Sequence, residues 1–489
     1  MKGFVLVYLA ALFCGAWLVT STPLDDYVNK PDSNYKWSKT NWTFRANGAT
    51  LYLLNFTSQK WLTEEDVDKP YWFHYMVVAV PDKLTHPEHG LMYISYGSNG
   101  PTFTPDVGDE FVTFITLMAV STGTICANLH QIPNQPLVFK KDPTQMSRHE
   151  DAVIAWTWKV FVEDEPKRPE WLLRLPMTKG AVRGMDTIAA FAKTIYPQSN
   201  IDKFLVCGES KRGWTTWTTA AVDKRVIAIA PMVMDLLNLR KNLHHHYRSL
   251  GGWTFAFSDY YALNFTRQLD NPQTQVMADI IDPLAYKDRL TMPKYIITTG
   301  GDEFFIPDDS YYYWGMLPGE TYLRVLPNAE HSLTFHRIQL FFGVRSFYLS
   351  AIQQKPMPKF TWKREFTHDG GKITVTTETK PKTIECYYAR TLDSKRRDFR
   401  LAAADPNNPK GFVPQPIIWL KAPVTNPMVG LYEVYFDNPP TGWLGFFIQL
   451  SFNGLDADSD FMFTTQTQII PNYFPFPDCQ GADCLGTLV

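Results

Sequence analysis

The run Phe204-Leu205-Val206-Cys207-Gly208-Glu209-Ser210-Lys211-Arg212-Gly213 leads an apolar strand into a helix through a turn of small residues built around a serine. A serine at such a turn is pushed out of the sheet plane, and its hydroxyl stands at the helix N-terminus, where backbone N–H groups have no partners. The N–H of Lys211 then faces any oxyanion that develops on an acyl group attacked by Ser210. The usual pattern has a small residue two positions after the serine. Here Arg212 holds that position and Gly213 follows one step later. Gly-x-Ser alone is equally compatible with an ordinary strand-to-helix turn, so the context outside the motif carries the argument.

Working outward, residues 75–80, 90–96, 125–129, 204–207, 226–231, 295–299 and 322–326 are short buried-strand runs. Between them, residues 151–163, 182–196 and 213–222 have helical spacing of apolar side chains. Strands alternating with helices indicate an α/β fold, a mostly parallel sheet with helices on both faces. The strand over 295–299 ends in Gly300-Gly301-Asp302-Glu303, and the strand over 322–326 ends in Pro327-Asn328-Ala329-Glu330-His331. Serine, then acid, then histidine, each after a later strand, is the chain order of an α/β-hydrolase triad. In this reading His331 takes the proton of Ser210 and Asp302 holds the imidazole tautomer. Asp302 as a helix cap and His331 on an exposed loop is the competing reading. Asp235, at the end of another strand, is an alternative acid, while Glu303, Asp308 and Asp309 are read as loop caps or substrate contacts. His336 is read as a helix residue. The second oxyanion donor is expected from the loop Gly97-Ser98-Asn99-Gly100, so Lys211, Ser98 and Asn99 form the candidate oxyanion hole.

With 47 basic and 49 acidic residues the net charge is −2, which argues against a nucleic-acid binder that needs a basic stripe. Met1-Lys2-Gly3, an apolar run to Val19 and small polar residues to Thr22 have the layout of a secretory signal over residues 1–22. The protein is therefore expected to be secreted, with no stable membrane insertion after cleavage. Asn41, Asn55 and Asn264 head N-x-Thr glycosylation acceptors, which belong at the surface. Cys479 and Cys484 flank a short loop in the tail and are expected to form a disulfide, while Cys207 ends a strand and is expected to be an inert buried thiol.

After about residue 355 the pattern changes to short strands separated by turns such as Asp-Gly-Gly and Asn-Pro-Pro, which reads as a small β-sandwich or a barrel. The expected organisation is a hydrolase domain over 23–355, a β-sandwich-like domain over 356–475 and a tail over 476–489. His244, His245 and His246 are chain neighbours that cannot all face one metal and read as a helix-to-loop surface. Asp456, Asp458 and Asp460 alternate as in a calcium loop but lack its glycine and distant glutamate, so solvated turn acids are expected. No metal or cofactor motif is present, and neither is expected. Trp214 and Trp217 are core residues or, in the sharper reading, a pocket wall.

The block Gly208-Glu209-Ser210-Lys211-Arg212-Gly213-Trp214-Thr215-Thr216-Trp217, with Gly300, Asp302 to Phe305, Glu330 and His331, resembles the PhoPQ-activated pathogenicity-related family over about residues 25–475. The resemblance implies an α/β-hydrolase fold, places Ser210, Asp302 and His331 on the family's triad positions, and makes Arg212 a feature of that family's elbow. For amoebal relatives it implies a secreted signal that restrains cell proliferation; for bacterial ones, a regulated envelope response. Two functions follow. One is a secreted serine hydrolase acting on an ester or peptide bond of a small-molecule or peptide substrate. The other is a non-catalytic signalling ligand on a hydrolase scaffold, with an extracellular protein partner or cell-surface receptor. A site that trims dipeptides would need acids such as Glu150, Asp151 or Glu163 to hold the substrate amine.

Overall fold

The computed structural model describes residues 21–100 and 102–489. The expected leader, apart from residues 21 and 22, lies outside them. Strands β1 (Lys36–Ala46), β2 (Ala49–Lys60) and β3 (Tyr71–Pro81) form an antiparallel entry into the sheet. They are followed by β4 (His89–Ile94), β5 (Ile125–Leu129), β6 (Lys203–Glu209), β7 (Val226–Met232), β8 (Lys294–Thr299) and β9 (Thr321–Leu326). The spatial order is β1-β2-β3-β5-β4-β6-β7-β8-β9, with β5 to β9 mutually parallel. From β4 the chain steps outward to β5 and then back across to β6. Order reverses between β4 and β6, and the crevice at their carboxyl ends is where such a sheet places a site.

Both faces of the parallel strands are covered, so the strands are apolar throughout and not alternating. Val206 packs on one side with the helix Arg174–Ile195 and the helix Lys211–Val222. Leu205 and Cys207 pack on the other, with the helices Glu110–Thr122 and Arg337–Gln353. This is the α/β-hydrolase architecture expected from the sequence. The helix over 174–195 starts eight residues before its clear periodicity, because buried Arg174 and Lys179 interrupt the apolar pattern.

The main sheet does not stop at β9. A strand at Phe461–Thr464 pairs antiparallel with β9 through Thr464 and Leu323, and Leu444–Phe452, Thr383–Arg390 and Leu420–Ala422 extend the sheet further. A separate four-stranded sheet contains Phe360–Phe366, Gly370–Thr377, Leu431–Asp437 and Thr425–Met428. Ile373, Val375 and Val434 of this sheet pack in one cluster with Phe446, Ile448 and Leu450. The C-terminal β layer is thus sandwich-like, and one of its two sheets is the continuation of the hydrolase sheet. No helix among the described residues is long and apolar enough to cross a membrane.

Candidate active site

Strand β6 ends at Glu209 and the next helix begins at Lys211, leaving Ser210 alone between them at φ 55°, ψ −124°. That conformation costs an L-residue roughly 1–3 kcal/mol and survives only where the surroundings enforce it. Ser210 N–H donates to the Met232 carbonyl at 2.9 Å, and Trp214 N–H donates to the Ser210 carbonyl at 3.0 Å. Two glycines make the turn sterically feasible. A Cβ on Gly208 would lie 2.9 Å from the Arg212 oxygen, and one on Gly213 would lie 2.9 Å from both the Met232 oxygen and Met234 Cβ. Gly213 therefore relieves the crowding one position later than usual. Arg212 turns away: its Nε donates to the Ile132 carbonyl at 2.6 Å and its terminal nitrogens to Glu150, one at 2.7 Å.

Asp302, 1% exposed, lies just past β8. Its Oδ1 accepts from Phe304 N–H at 2.8 Å and Phe305 N–H at 3.2 Å, which fixes the carboxylate rotamer. His331 Nδ1 sits 2.8 and 2.9 Å from the two Asp302 oxygens. The backbone N–H of His331 donates to Glu303 at 2.9 Å, and its ring packs on Phe304 with centroids 4.3 Å apart. With Nδ1 donating to Asp302, Nε2 keeps its lone pair; Nε2 is buried and has no hydrogen-bond partner among the described residues. Burial pushes the His331 pKa down, but the Asp302 charge and hydrogen bond outweigh it, leaving the pKa above the ordinary histidine value. Ser210, His331, Ser95, Tyr96 and Glu209 line one cleft at the carboxyl edge of the sheet. The structure thus brings together the three residues that the chain order singled out.

Asp235, the alternative acid, is fully buried and accepts from the Tyr313 hydroxyl instead of touching His331. Burial, reinforced by Asp309, holds its carboxyl well above the ordinary range. In the loop expected to give the second oxyanion donor, the N–H of Asn99 is taken up, while that of Ser98 has no acceptor among the described residues. Asn99 donates its backbone N–H to the Gln135 carbonyl, its side chain bonds Asn134 and Gln131, and Ser98 is exposed. Tyr96, two residues earlier, lines the cleft, and its N–H has no acceptor among the described residues. Because β4 ends at Ile94, the turn begins before the glycine-rich stretch, which makes the Tyr96 N–H a further candidate donor beside the expected ones. Lys211 opens its helix, so its N–H has no intrahelical acceptor.

Behind Ser210 lies a second, deeper pocket walled by Trp158, Trp214, Trp253, Phe257, Tyr260 and Phe265. Two of its charges, Lys211 and Asp151, are matched, while Arg174 has no ion pair among the described residues and donates to the Lys211 carbonyl. Lys211 Nζ lies 3.0 Å from Glu150 and 2.9 Å from Asp151, and Tyr260 donates to Asp151 at 3.0 Å. Burial would raise the Glu150 pKa, but Arg212 and Lys211 drive it far below the carboxylate range. Arg174 stacks over Trp214 at 4.0 Å, and burial lowers its pKa to about 10. Trp214 is therefore pocket wall, while Trp217 is fully buried core. Glu163 is remote in function, pairing with Lys159 and Gln268.

The other sequence candidates resolve individually. His245 and His246 are buried, contrary to the surface reading: His245 Nδ1 lies 2.8 Å from Asp309, and His246 accepts from Thr254 N–H between the Trp253 and Phe257 rings. Burial lowers the His246 pKa to about 3. His244 points elsewhere, to Asp270 and Asp478. Asp456 and Asp458 are exposed in a bend, as expected of solvated turn acids, and also pair with Arg345, while half-buried Asp460 pairs with Lys382. Glu303 accepts from His331 N–H, Asp308 pairs with Arg397, Asp309 accepts from Ile306 N–H and contacts His245, and His336 precedes the helix 337–353 as its N-cap. Cys479 and Cys484 are disulfide-bonded; Cys126, Cys207 and Cys386 are buried thiols. Asn41 and Asn264 are exposed, and Asn55 is half-buried and accepts from Ser38.

Residues 24–400 match the model of the family described as PhoPQ-activated pathogenicity-related protein. The chain is 38% identical over 480 residues to autocrine proliferation repressor protein A of Dictyostelium discoideum, covering 96% of this chain and 94% of the relative. Among solved structures it is similar to acetyl xylan esterase 1 from Thermoanaerobacterium sp. JW/SL YS485, with TM-score 0.44 and 15% identity over 68% of this chain and 95% of that one. It is also similar to an S-formylglutathione hydrolase from Agrobacterium tumefaciens, with TM-score 0.39 and 12% identity over 65% of this chain and 99% of that one.

Proposed function

We propose that this chain, which belongs to the PhoPQ-activated pathogenicity-related family, is an exported serine hydrolase that cleaves an acyl bond beside a bulky apolar group. The observation that carries this reading is the strained Ser210 turn opening on the same cleft as an Asp302-bonded His331. In the proposed reaction Ser210 Oγ attacks the carbonyl carbon and passes its proton to His331 Nε2. Asp302 stabilises the resulting imidazolium. The tetrahedral oxyanion is held by the N–H of Lys211 and of Tyr96. His331 then protonates the leaving group, and water, activated by the same imidazole, releases the acyl group from Ser210.

The aromatic pocket beside Ser210 suits an apolar acyl or alkyl substituent. An ester is favoured over a peptide with a free amino terminus, because Glu150 and Asp151 are already neutralised by Lys211 and Arg212. Export is supported by the leader-like sequence of residues 1–22 and by the Cys479–Cys484 disulfide, which persists in an oxidising compartment. Glycans on exposed Asn41 and Asn264 fit the same route.

The test is hydrolysis of p-nitrophenyl esters of graded acyl length by the purified secreted protein. Turnover that Ser210→Ala abolishes supports the reading; equal rates for wild type and Ser210→Ala overturn it. A second reading, a non-catalytic signal restraining proliferation, is favoured by the name of the 38% identical relative. It predicts that Ser210→Ala retains full activity in a cell-proliferation assay.

A further inference from the structure

A second polar pocket lies where the loop 308–312, the helix Leu239–Leu250 and the C-terminal β layer meet. Its wall contains Arg248, Arg364, Arg397 and His245, and a single carboxylate, Asp308. Arg397 is accounted for: it grips Asp308, with one nitrogen at 3.0 Å, and is 3% exposed. The other two guanidinium groups make no ion pair with an acid among the described residues. Among the described residues Arg364 donates to the Thr467 carbonyl alone, at 2.8 Å, and it lies over the Tyr311 ring at 5.4 Å. The Arg248 side chain has no hydrogen bond or ion pair among the described residues and rests 4.0 Å from the centroid of Phe474.

That same Phe474 ring lies 5.2 Å from Arg397, so the ring draws two guanidinium groups to one spot. Arg364 experiences both Asp308 and Arg397, and Tyr312 experiences Arg248 and Arg397, which ties all three cations to one region. Withdrawing guanidinium groups from water without an opposing charge is unfavourable. Two unmatched arginines converging beside a third have the fork geometry that recognises an oxyanion through paired N–H donors. Tyr311, Tyr312 and Tyr473 add hydroxyl groups and flat faces at the mouth.

We propose that this pocket binds a multivalent oxyanion of the phosphate or sulfate class, free or as a monoester of a small molecule, held by Arg248 and Arg364 beside Arg397. The site is separate from Ser210, so its fate does not depend on the hydrolase reading. The test is titration calorimetry of the intact secreted chain, in the Ser210→Ala background, with inorganic phosphate, sulfate and phenyl phosphate at ionic strength matched with sodium chloride. The expected result is saturable one-to-one binding, weakened at least tenfold by Arg248→Gln/Arg364→Gln. Tighter binding of phenyl phosphate than of inorganic phosphate identifies a monoester; equal binding identifies the free ion. Arg248→Gln alone removes no hydrogen bond of the fold and is expected to weaken binding at least threefold, which keeps the test open if the double variant does not fold. Absence of saturable binding by all three probes, or an affinity within twofold of the parent in folded variants, would overturn the proposal.

Discussion

Replacing Asp302 by Asn tests the link between geometry and chemistry with little change in shape. Asp302 Oδ1 already accepts from Phe304 and Phe305 N–H at 2.8 and 3.2 Å, so the amide oxygen of Asn takes that place. The amide nitrogen then occupies the position of Oδ2, 2.9 Å from His331 Nδ1. When it donates to Nδ1 the imidazole proton sits on Nε2, which removes the lone pair that must accept the Ser210 proton. In the Ser-His-Asp system for which this exchange has been measured it lowers turnover about 10⁴-fold, equivalent to ~5.4 kcal/mol of transition-state stabilisation at 1.36 kcal/mol per decade. A loss of that order in kcat/KM toward a p-nitrophenyl ester is expected, with the melting temperature shifted by only a few degrees because the buried acceptor for both N–H groups remains. A loss below tenfold in a folded variant would refute the assignment of Asp302 as the group that orients the base.

Four further outcomes follow from named contacts. Since the Asp302 charge raises the His331 pKa above its ordinary value of about 6.5, the acylation rate should climb with pH through an inflection above that value and level off on the alkaline side. The stability contribution of the pair has the opposite sense, present in full below the unfolded-state pKa and lost as pH rises through the raised folded-state pKa; denaturant titrations across that window read it directly. Gly208→Ala places a Cβ 2.9 Å from the Arg212 carbonyl oxygen and 3.0 Å from its carbon, backbone atoms that cannot swing away; active-site labelling should fall at least a hundredfold, and restoration by a second glycine at Arg212 would show that the clash is elsewhere. Replacing both Cys479 and Cys484 by Ser removes a short-loop cross-link worth about 2 kcal/mol from the tail whose Cys484 carbonyl accepts from Trp253 Nε1 at 2.8 Å; because Trp253 lines the pocket, KM for bulky esters should rise while that for acetyl esters stays level, as a substrate series would measure.

The strand, turn and helix around Ser210, and the order in which Asp302 and His331 follow it, were legible because each rests on a local pattern: a buried run, then a polar residue at its carboxyl end. Continuation of the sheet past β9 was not, since it depends on Thr464 pairing with Leu323 across more than a hundred residues of intervening chain. The role of Arg212 was hidden for the same reason, its partner Glu150 lying on another helix. The helix Glu110–Thr122 packs between β3, β5 and the helix Arg337–Gln353, and so many of its faces are apolar that it shows little periodicity. His245 and His246 look like polar surface in sequence; they are buried because Asp309 and Thr254 supply partners that only the fold provides. Tyr96 did not stand out in the sequence because a free backbone N–H at the cleft is announced by no side-chain pattern.

The central claim is that Ser210 is a nucleophile activated by His331. The most direct measurement is covalent labelling of the purified protein by a fluorophosphonate, with the modified residue located by mass spectrometry, in wild type, Ser210→Ala and His331→Ala. The account predicts a single adduct on Ser210 in the wild type and no labelling of either variant; a folded wild type that takes no label, or labelling that persists without Ser210, would contradict it.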